Sequence, residues 1–267
     1  MLSLILNSAD VTRNLEALTL LEELRAALIS RPSIPVTAQL LSIGPRAGLN
    51  LLNPEGKLLA VLDPEPLTLL RTSLVAALAA DALAPPEAKR VAMLGGGPLA
   101  SSTLKALRLV RSLREAWLVT TEPEQAWGEA NALQHTLKTP VRAVDRVADA
   151  VANADLVVLT GGVDLPEVAL WPSVHLSLPA ANRFDAAPVT AGVLANAWRV
   201  SDGEGPSWGQ PVHAQLGAVL APGAARPAGR STLFLGAGPA WLDLVAAWHV
   251  YQGALGDETL ARVDFGA

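Results

Sequence analysis

The spacing of apolar residues predicts different architectures for the first third of the chain and for the rest. Leucines recur every three or four positions between Ser8 and Ile29, which predicts one amphipathic helix. The segment 34–63 instead contains short apolar runs of β type, the clearest at 36–43 and 58–62, so we expect a small sheet there. A helix over 69–83 follows, and a double proline after it marks a domain boundary.

Beyond residue 89 the pattern alternates between strand and helix. Continuous apolar runs predict strands at 90–94, 116–119, 141–144, 155–159, 174–178 and 198–200. Helices are predicted in the same region at 99–113, 123–137 and 147–153. This alternation predicts an α/β protein with a Rossmann-type, doubly wound parallel sheet. A last strand at 231–235 leads into a final helix over 240–255.

Composition narrows the class of protein without defining an activity. The 267 residues are 51% hydrophobic and have a mean hydropathy of +0.33. Because no apolar stretch reaches the ~18 residues of a membrane-spanning helix, we expect a soluble, cytoplasmic protein with no membrane partner. The absence of cysteine excludes disulfides, thiolate metal sites and cysteine nucleophiles, and the histidines lack the paired spacing of a metal site. The net charge of −5 argues against nucleic acid as a partner.

A glycine-rich segment joins the first strand of the alternating region to a helix. It reads Gly95-Gly96-Gly97-Pro98-Leu99-Ala100, which fits the pattern G-x-G-x-x-A. In that pattern Gly95 permits a tight turn, Gly97 lets the backbone approach a pyrophosphate, and Ala100 keeps the helix close to the strand. The pyrophosphate lies at the helix N-terminus. The sequence therefore predicts that this loop binds the phosphates of a dinucleotide.

The choice between NAD and NADP depends on the end of the next predicted strand. The dinucleotide pattern expects an acidic residue there, which accepts hydrogen bonds from the adenosine ribose. Thr120, Thr121 and then Glu122 stand at this place. Thr120 has no charge to repel a 2′-phosphate, and no basic residue stands beside it to attract one. Glu122 could still reach the ribose. The sequence therefore does not decide between NAD and NADP, and Thr120 and Thr121 are candidate binding residues for either cofactor.

A second glycine loop, Gly236-Ala237-Gly238, also connects a predicted strand to a helix. Because no further strand and helix pair follows, a second nucleotide site is not expected there. Two interpretations are open. The glycines allow close packing at a tight connection, or they form the wall of an active site.

Arg71 is predicted at a position that is unfavourable for a cation. Arg71 falls in the first turn of its predicted helix, where the macrodipole disfavours a cation by about 0.3–1 kcal/mol. Asp63 or Glu65 just upstream could compensate, and so could an anionic ligand, either a substrate carboxylate or the cofactor phosphates.

Basic residues also recur every three positions on the helix predicted after the first glycine loop. This spacing indicates a helix face exposed to solvent, and the residues are Lys105, Arg108, Arg111 and Arg114.

The order of these motifs resembles that of the ornithine cyclodeaminase and mu-crystallin family. Residues 56–63 look like its G-x-x-x-A-x-x-D, and 67–73 like its L-T-x-x-R-T-A. Residues 153–158 resemble its A-D-x-V-V strand, and residues 215–220 and 229–234 resemble its late elements L-G-x-V-L and G-R-x-x-x-x-F. Asp243 stands where the final helix of the family carries an aspartate. The resemblance covers nearly the whole chain.

The resemblance implies a domain organisation and a class of ligand. The Rossmann domain, 87–222, would bind the nicotinamide cofactor. A smaller α+β domain for substrate binding and dimerisation would be built from both chain ends, 1–84 and 230–267. The protein would then be a homodimer that acts on a small imino or amino acid.

The resemblance also implies roles for individual residues. Arg71 would anchor the substrate carboxylate, and Asp243 joins it as a catalytic candidate. Thr72 would belong to the phosphate site together with Gly95 and Gly97. Gly236 and Gly238 would border the nicotinamide. No residue is assigned to a metal.

Two positions depart from the pattern of the family. Gln39 stands where a substrate-binding lysine is expected, and Ser177 stands where the cyclodeaminases carry an aspartate. Cyclisation of ornithine needs a carboxylate to manage protons on two amines, whereas reduction of an imine tolerates its loss. We therefore expect an NAD(P)-dependent oxidoreductase acting on an imine or ketimine that bears a carboxylate. The alternatives are an ornithine cyclodeaminase, which forms proline and ammonia, and a catalytically inactive NAD(P)-binding protein.

Overall fold

Two units make up the structure, a computed structural model that describes residues 2–43, 46–163, 165, 173–185, 187–205, 208–224 and 229–264. The first unit comprises Met1–Arg71 with Ala240–Ala267, and the second comprises Thr72–Pro239. Each unit is built on its own sheet.

The elements are named in chain order. The strands are β1 (Ser3–Leu6), β2 (Thr37–Ile43), β3 (Arg46–Leu52), β4 (Leu58–Leu62), β5 (Arg90–Leu94), β6 (Glu115–Val119), β7 (Val141–Ala143), β8 (Leu156–Leu159), β9 (His175–Leu178), β10 (Trp198–Ser201), β11 (Ala214–Gln215), β12 (Thr232–Leu235) and β13 (Ala261–Val263). The helices are α1 (Ser8–Asn14), α2 (Ala17–Ile29), α3 (Pro64–Leu83), α4 (Gly97–Val110), α5 (Pro123–Leu137), α6 (Val147–Val151), α7 (Ala191–Asn196), α8 (Leu216–Leu220) and α9 (Ala240–Ala254).

The sheet of the first unit has the order β13-β1-β4-β3-β2. β2, β3 and β4 form an antiparallel meander, β1 runs parallel to β4, and β13 pairs antiparallel with β1. α1 and α2 both pack against α9, where Leu20, Leu24 and Val250 are fully buried. The predicted small sheet is therefore present, with β1 and β13 added from the two ends of the described chain.

The segment from Ser8 to Ile29 forms two helices, so the single predicted helix is wrong. Asn7 begins α1 with a capping box, because its Oδ1 accepts from the backbone of Asp10 while the Asp10 carboxylate accepts from the Asn7 backbone N–H. The chain becomes extended at Leu15 and Glu16 before α2 begins. The leucine spacing continues across this break, which is why the pattern does not reveal it.

The second unit contains an eight-stranded sheet with the order β11-β10-β12-β9-β8-β5-β6-β7. All its neighbouring strands run parallel. Six neighbouring strands follow the Rossmann order 3-2-1-4-5-6, in the spatial sequence β7, β6, β5, β8, β9 and β12. The strands β10 and β11 extend the sheet beyond β12. The predicted α/β class with a doubly wound parallel sheet is confirmed. The order reverses between β5 and β8, which is where such sheets bind ligands.

The unit boundaries differ from those expected at 84–87 and 222–230. The first falls within α3, between Arg71 and Thr72, and the second falls between Pro239 and Ala240. The later junction moves because β12 lies inside the parallel sheet, paired with β9 and β10. The β12 side chains are buried and pack into the core of this sheet.

α3 begins earlier than the pattern predicted. It starts at Pro64, where Asp63 Oδ1 accepts a hydrogen bond from the Glu65 backbone N–H at 3.0 Å. Proline is favourable in a first turn, so its presence does not end the helix. By length and mean hydropathy (1.3) α3 could also cross a membrane, but 67% of its most apolar window is buried inside the protein. That burial is typical of a core helix.

Candidate functional site

The first glycine loop makes the tight turn that the sequence predicted. Gly95 has φ +107° and donates its N–H to Val119 O at 2.8 Å. A Cβ on Gly95 would lie 2.3 Å from Gly161 O, so no larger residue fits between β5 and the segment after β8. Glycine is required here both for its backbone angle and for this close approach.

α4 begins directly at this loop. Gly96 is the N-cap, Gly97 has φ +82°, and Pro98 occupies the first turn, while Leu99 and Ala100 are buried against the sheet. A Cβ on Gly97 would meet no atom within 4 Å, so the backbone faces open space there. The first turn of α4 thus has room beside Gly97 for a negatively charged group. This geometry fits a dinucleotide pyrophosphate.

Two further glycines follow β8, the strand beside β5. Gly161 has φ +124° and Gly162 has φ +77°. They extend the glycine-lined carboxyl edge of the sheet at the switch point. These two glycines were not predicted, although a glycine pair directly after a buried strand is a readable signal.

The end of β6 presents Thr120 and Thr121 at the same edge. The Thr120 hydroxyl donates to Glu122 O at 2.8 Å and accepts from the Glu122 backbone N–H at 3.3 Å. Thr121 is exposed and lies near Gly162. Thr72 is buried on α3 within this same unit. Their cofactor contacts stay a prediction.

Glu129 on α5 contacts the glycine loop, which no sequence pattern predicted. Its Oε2 accepts from the Gly97 backbone N–H at 3.0 Å, and its Oε1 accepts from Ser101 Oγ at 2.8 Å. A carboxylate therefore caps the start of α4. Its position on α5 carries no local sequence signal, because the contact depends on the packing of two helices.

Arg71 pairs with Asp243 in the first unit. Arg71 Nε donates to Asp243 Oδ1 at 2.9 Å and Nη2 lies 2.8 Å from the same oxygen. Arg71 is only 3% exposed and lies well inside α3, so the expected first-turn position is wrong. The structure places neither upstream acid, Asp63 nor Glu65, against it as an ion pair among the described residues. Asp243, in the first turn of α9, is the partner.

Packing explains the second glycine loop. A Cβ on Gly236 would lie 2.0 Å from Pro179 O, and the Gly236 N–H donates to Leu178 O at 2.9 Å. Asp202 Oδ1 accepts from the backbone N–H groups of Ala237 and Gly238 at 2.6 and 3.3 Å. These contacts favour the close-packing interpretation. A role beside the nicotinamide stays a prediction.

The two departures from the family pattern lie on strands. Gln39 is exposed on β2, opposite Asn50 of β3. Ser177 is 1% exposed on β9, and its Oγ has no hydrogen-bond partner among the described residues. Two positions earlier, His175 is fully buried with Nδ1 2.9 Å from Thr232 Oγ1, which is a structural contact. No cluster of three metal-ligating side chains occurs in the part of the chain that the structure describes.

Known proteins are similar to this chain in sequence and in fold. The profile of the ornithine cyclodeaminase/mu-crystallin family matches residues 47–258. A Delta(1)-pyrroline-2-carboxylate reductase from Bacillus cereus is 25% identical over 234 residues, which cover 79% of this chain and 71% of the relative. Ketimine reductase mu-crystallin from Mus musculus is 30% identical over 224 residues, which cover 78% and 69%.

A solved structure supports the fold independently. Thermococcus litoralis Delta(1)-pyrroline-2-carboxylate reductase in complex with NADH and L-proline matches with a TM-score of 0.83 at 18% identity, covering 97% of this chain and 100% of that chain. The profile match over residues 47–258 confirms the resemblance stated from the motifs. The chain belongs to the ornithine cyclodeaminase/mu-crystallin family.

Proposed function

We propose that this protein is an NAD(P)-dependent oxidoreductase that reduces a small imino acid, a cyclic imine or ketimine bearing a carboxylate. The observation that carries the proposal is the open glycine loop at the switch point of the parallel sheet. Two relatives of the chain, named above, are reductases of this kind. When bound, the nicotinamide would supply a hydride to the carbon of the C=N bond.

The cofactor site would be formed by the second unit. The loop from Gly95 to Leu99, with Thr72, would hold the pyrophosphate, because backbone N–H groups at a helix N-terminus favour an anion. Thr120 and Thr121 would lie at the adenosine end, and Gly236 and Gly238 would border the nicotinamide. The open space at Gly97 is the feature that fits this group, since bulk there would block the pyrophosphate.

Arg71 would anchor the substrate carboxylate. The contact of Nε and Nη2 with Asp243 Oδ1 fixes the orientation of the Arg71 guanidinium. Because a guanidinium has five N–H groups, this contact leaves donors for a ligand. Asp243 would act through Arg71 as a positioning residue. Burial strengthens such an interaction, because little water competes for the guanidinium.

Reduction of an imine also suits the residues that replace the family's lysine and aspartate. An iminium substrate already carries its proton, so it needs no strong general acid beside the reacting carbon. Ser177 and Gln39 supply neither an acid nor a cation. The same absence favours one alternative, a nucleotide-binding protein without turnover, and it disfavours cyclisation of ornithine.

We further propose that the protein is a cytoplasmic homodimer. β2 is an edge strand of the first sheet, and its Leu40 and Leu41 are 65% and 50% exposed. Apolar side chains on an unpaired edge are favourable positions for association with a second copy. Light scattering coupled to size-exclusion chromatography measures the molar mass of the protein in solution. A monomer at micromolar concentration would contradict the proposal.

The test of the function has two steps. Thermal unfolding is first measured with NADH and with NADPH, because a ligand at 100 times its Kd stabilises a protein by about 2.7 kcal/mol. Consumption of the reduced cofactor is then followed by its near-ultraviolet absorbance with Δ1-pyrroline-2-carboxylate and, separately, NAD-dependent ammonia release with ornithine. Turnover of the imine alone supports the proposal. A cofactor shift without any turnover identifies the inactive binding protein, and no shift at all excludes both.

A further inference from the structure

Glu129 is held against the first turn of α4 by both of its oxygens. Oε2 accepts from the Gly97 N–H at 3.0 Å, and Oε1 accepts from Ser101 Oγ at 2.8 Å. A Cβ built on Gly96 would lie 2.9 Å from Oε2. The carboxylate therefore lies over the middle glycine of the loop.

The same point of the loop touches the end of β6. The Cβ built on Gly96 would lie 2.8 Å from Thr120 Cγ2. In the dinucleotide fingerprint an acid at this strand end accepts hydrogen bonds from the adenosine ribose. Here that position holds Thr120, whose hydroxyl already bonds the Glu122 backbone. Glu129 thus brings a carboxylate beside the position that the fingerprint acid would occupy.

The charge of Glu129 is not neutralised by a neighbouring side chain. Among the described residues it takes part in no ion pair, and its hydrogen-bond donors are a backbone N–H and a hydroxyl. A 2′-phosphate placed beside Glu129 would meet a carboxylate that no described side chain neutralises. Like charges brought together in this way are strongly unfavourable.

We infer that Glu129 takes the role of the ribose-binding acid and makes the protein select NAD(H) over NADP(H). Thr120 stands at the place of that acid, and the carboxylate of Glu122, two residues later, accepts from the Gln125 side-chain amide. The inference rests on the proposed function, because it requires a dinucleotide on the glycine loop. When the cofactor binds, the Gly97 N–H can exchange the carboxylate for the pyrophosphate. The carboxylate then accepts from the ribose hydroxyls, as carboxylates do in this fingerprint.

The test compares Kd values for NADH and NADPH by quenching of tryptophan fluorescence. It uses the unaltered protein, Glu129→Gln, Glu129→Lys and the control Glu124→Gln. Glu124 is an exposed acid on the same helix, so its substitution removes an equal charge and leaves the contacts of Glu129 with Gly97 and Ser101 in place. Circular dichroism confirms folding of each variant.

We expect the unaltered protein to bind NADH about tenfold or more tightly than NADPH, because a 2′-phosphate is repelled. Glu129→Gln should reduce this ratio about tenfold and Glu129→Lys should reverse it, while Glu124→Gln leaves it unchanged. A preference for NADPH in the unaltered protein, or a ratio insensitive to Glu129, overturns the inference. Equal tightening of both nucleotides also overturns it, since Glu129 would then only compete with the pyrophosphate. Binding of neither nucleotide rejects the proposed function itself.

Discussion

Arg71 and Asp243 are 172 residues apart in the chain, yet two guanidinium nitrogens of the one meet a single carboxylate oxygen of the other. Thr68 Oγ1 lies 3.5 Å from the same oxygen. The pair joins α3 to α9 within the first unit. A buried arginine held in this way has a fixed orientation, which is the property that a carboxylate anchor needs.

Arg71→Lys should impair substrate binding while leaving cofactor binding intact. Lysine keeps the charge but loses the planar set of donors, so Asp243 and a substrate carboxylate can no longer both be bound in this geometry. We expect kcat/KM for a cyclic imino acid to fall about 100-fold, mainly through KM. Steady-state kinetics measure this effect, and NADH titration checks the cofactor. Arg13→Lys, at an exposed arginine of the same unit, is the control. An unchanged KM would remove Arg71 from the site.

Gly97→Ala should abolish the stabilisation by cofactor. Gly97 has φ +82° and open space around a Cβ, so the variant should fold with a cost of about 1–2 kcal/mol from backbone strain. Gly223 is a matched control, because its φ is +81° and its Cβ also meets no atom within 4 Å. Thermal unfolding with and without NADH compares the two variants. Equal cofactor shifts in both would contradict the assignment of the phosphate site.

Arg111→Met should destabilise the second unit by about 3 kcal/mol. The expected solvated position is wrong for this residue, since Arg111 is buried and its guanidinium donates to carbonyls at the end of α3. These bonds include Pro85 O at 2.7 Å and Ala80 O at 2.9 Å. Ala80 O and Pro85 O keep backbone donors in the variant, the N–H groups of Ala84 and Ala88, whereas Ala84 O, at 3.2 Å from Nη2, loses the guanidinium. Urea unfolding measures the loss, with the exposed Arg108→Met as control. Equal effects of both substitutions would argue against this capping role.

We expect the Asp155 carboxyl to lower the free energy of unfolding of the protein as the pH falls into the acid range. Burial raises the pKa of its carboxyl, but hydrogen bonds from the Arg90 side chain and from the backbone of Lys89 and Arg90 lower the pKa further, and the net shift is downward. A carboxyl with a lowered folded-state pKa contributes stability above its unfolded value of about 3.9, and loses it as the pH falls through the folded value.

Urea unfolding at about pH 7 and about pH 3 tests this linkage with Asp155→Asn. We expect the variant to lose about 2 kcal/mol at neutral pH and to show a smaller decrease between the two pH values. Other acids titrate alike in both proteins, so the difference isolates Asp155. Parallel pH profiles would show that the Arg90 contact contributes nothing to acid sensitivity.

Patterns along the chain predicted those structural features that depend only on residues close together in sequence. The loop from Gly95 to Ala100 could be identified because a buried strand, a turn and a helix start follow one another in sequence. The strand β13 could not, since its three residues are exposed and have no apolar pattern. The Arg71–Asp243 pair and the position of Glu129 depend on helices packed from distant segments. Only the resemblance to a family pointed to Asp243, and nothing in the sequence pointed to Glu129.

The discontinuity of the first unit has a consequence for synthesis on the ribosome. Its strand β1 emerges first, but β13 and the Asp243 partner of Arg71 are made last. The second unit is complete once Pro239 has emerged, so it can fold while the first unit still lacks α9. The sides of α1 and α2 that pack against α9 therefore stay uncovered until α9 has emerged. This interval is when we expect chaperones to bind the nascent chain.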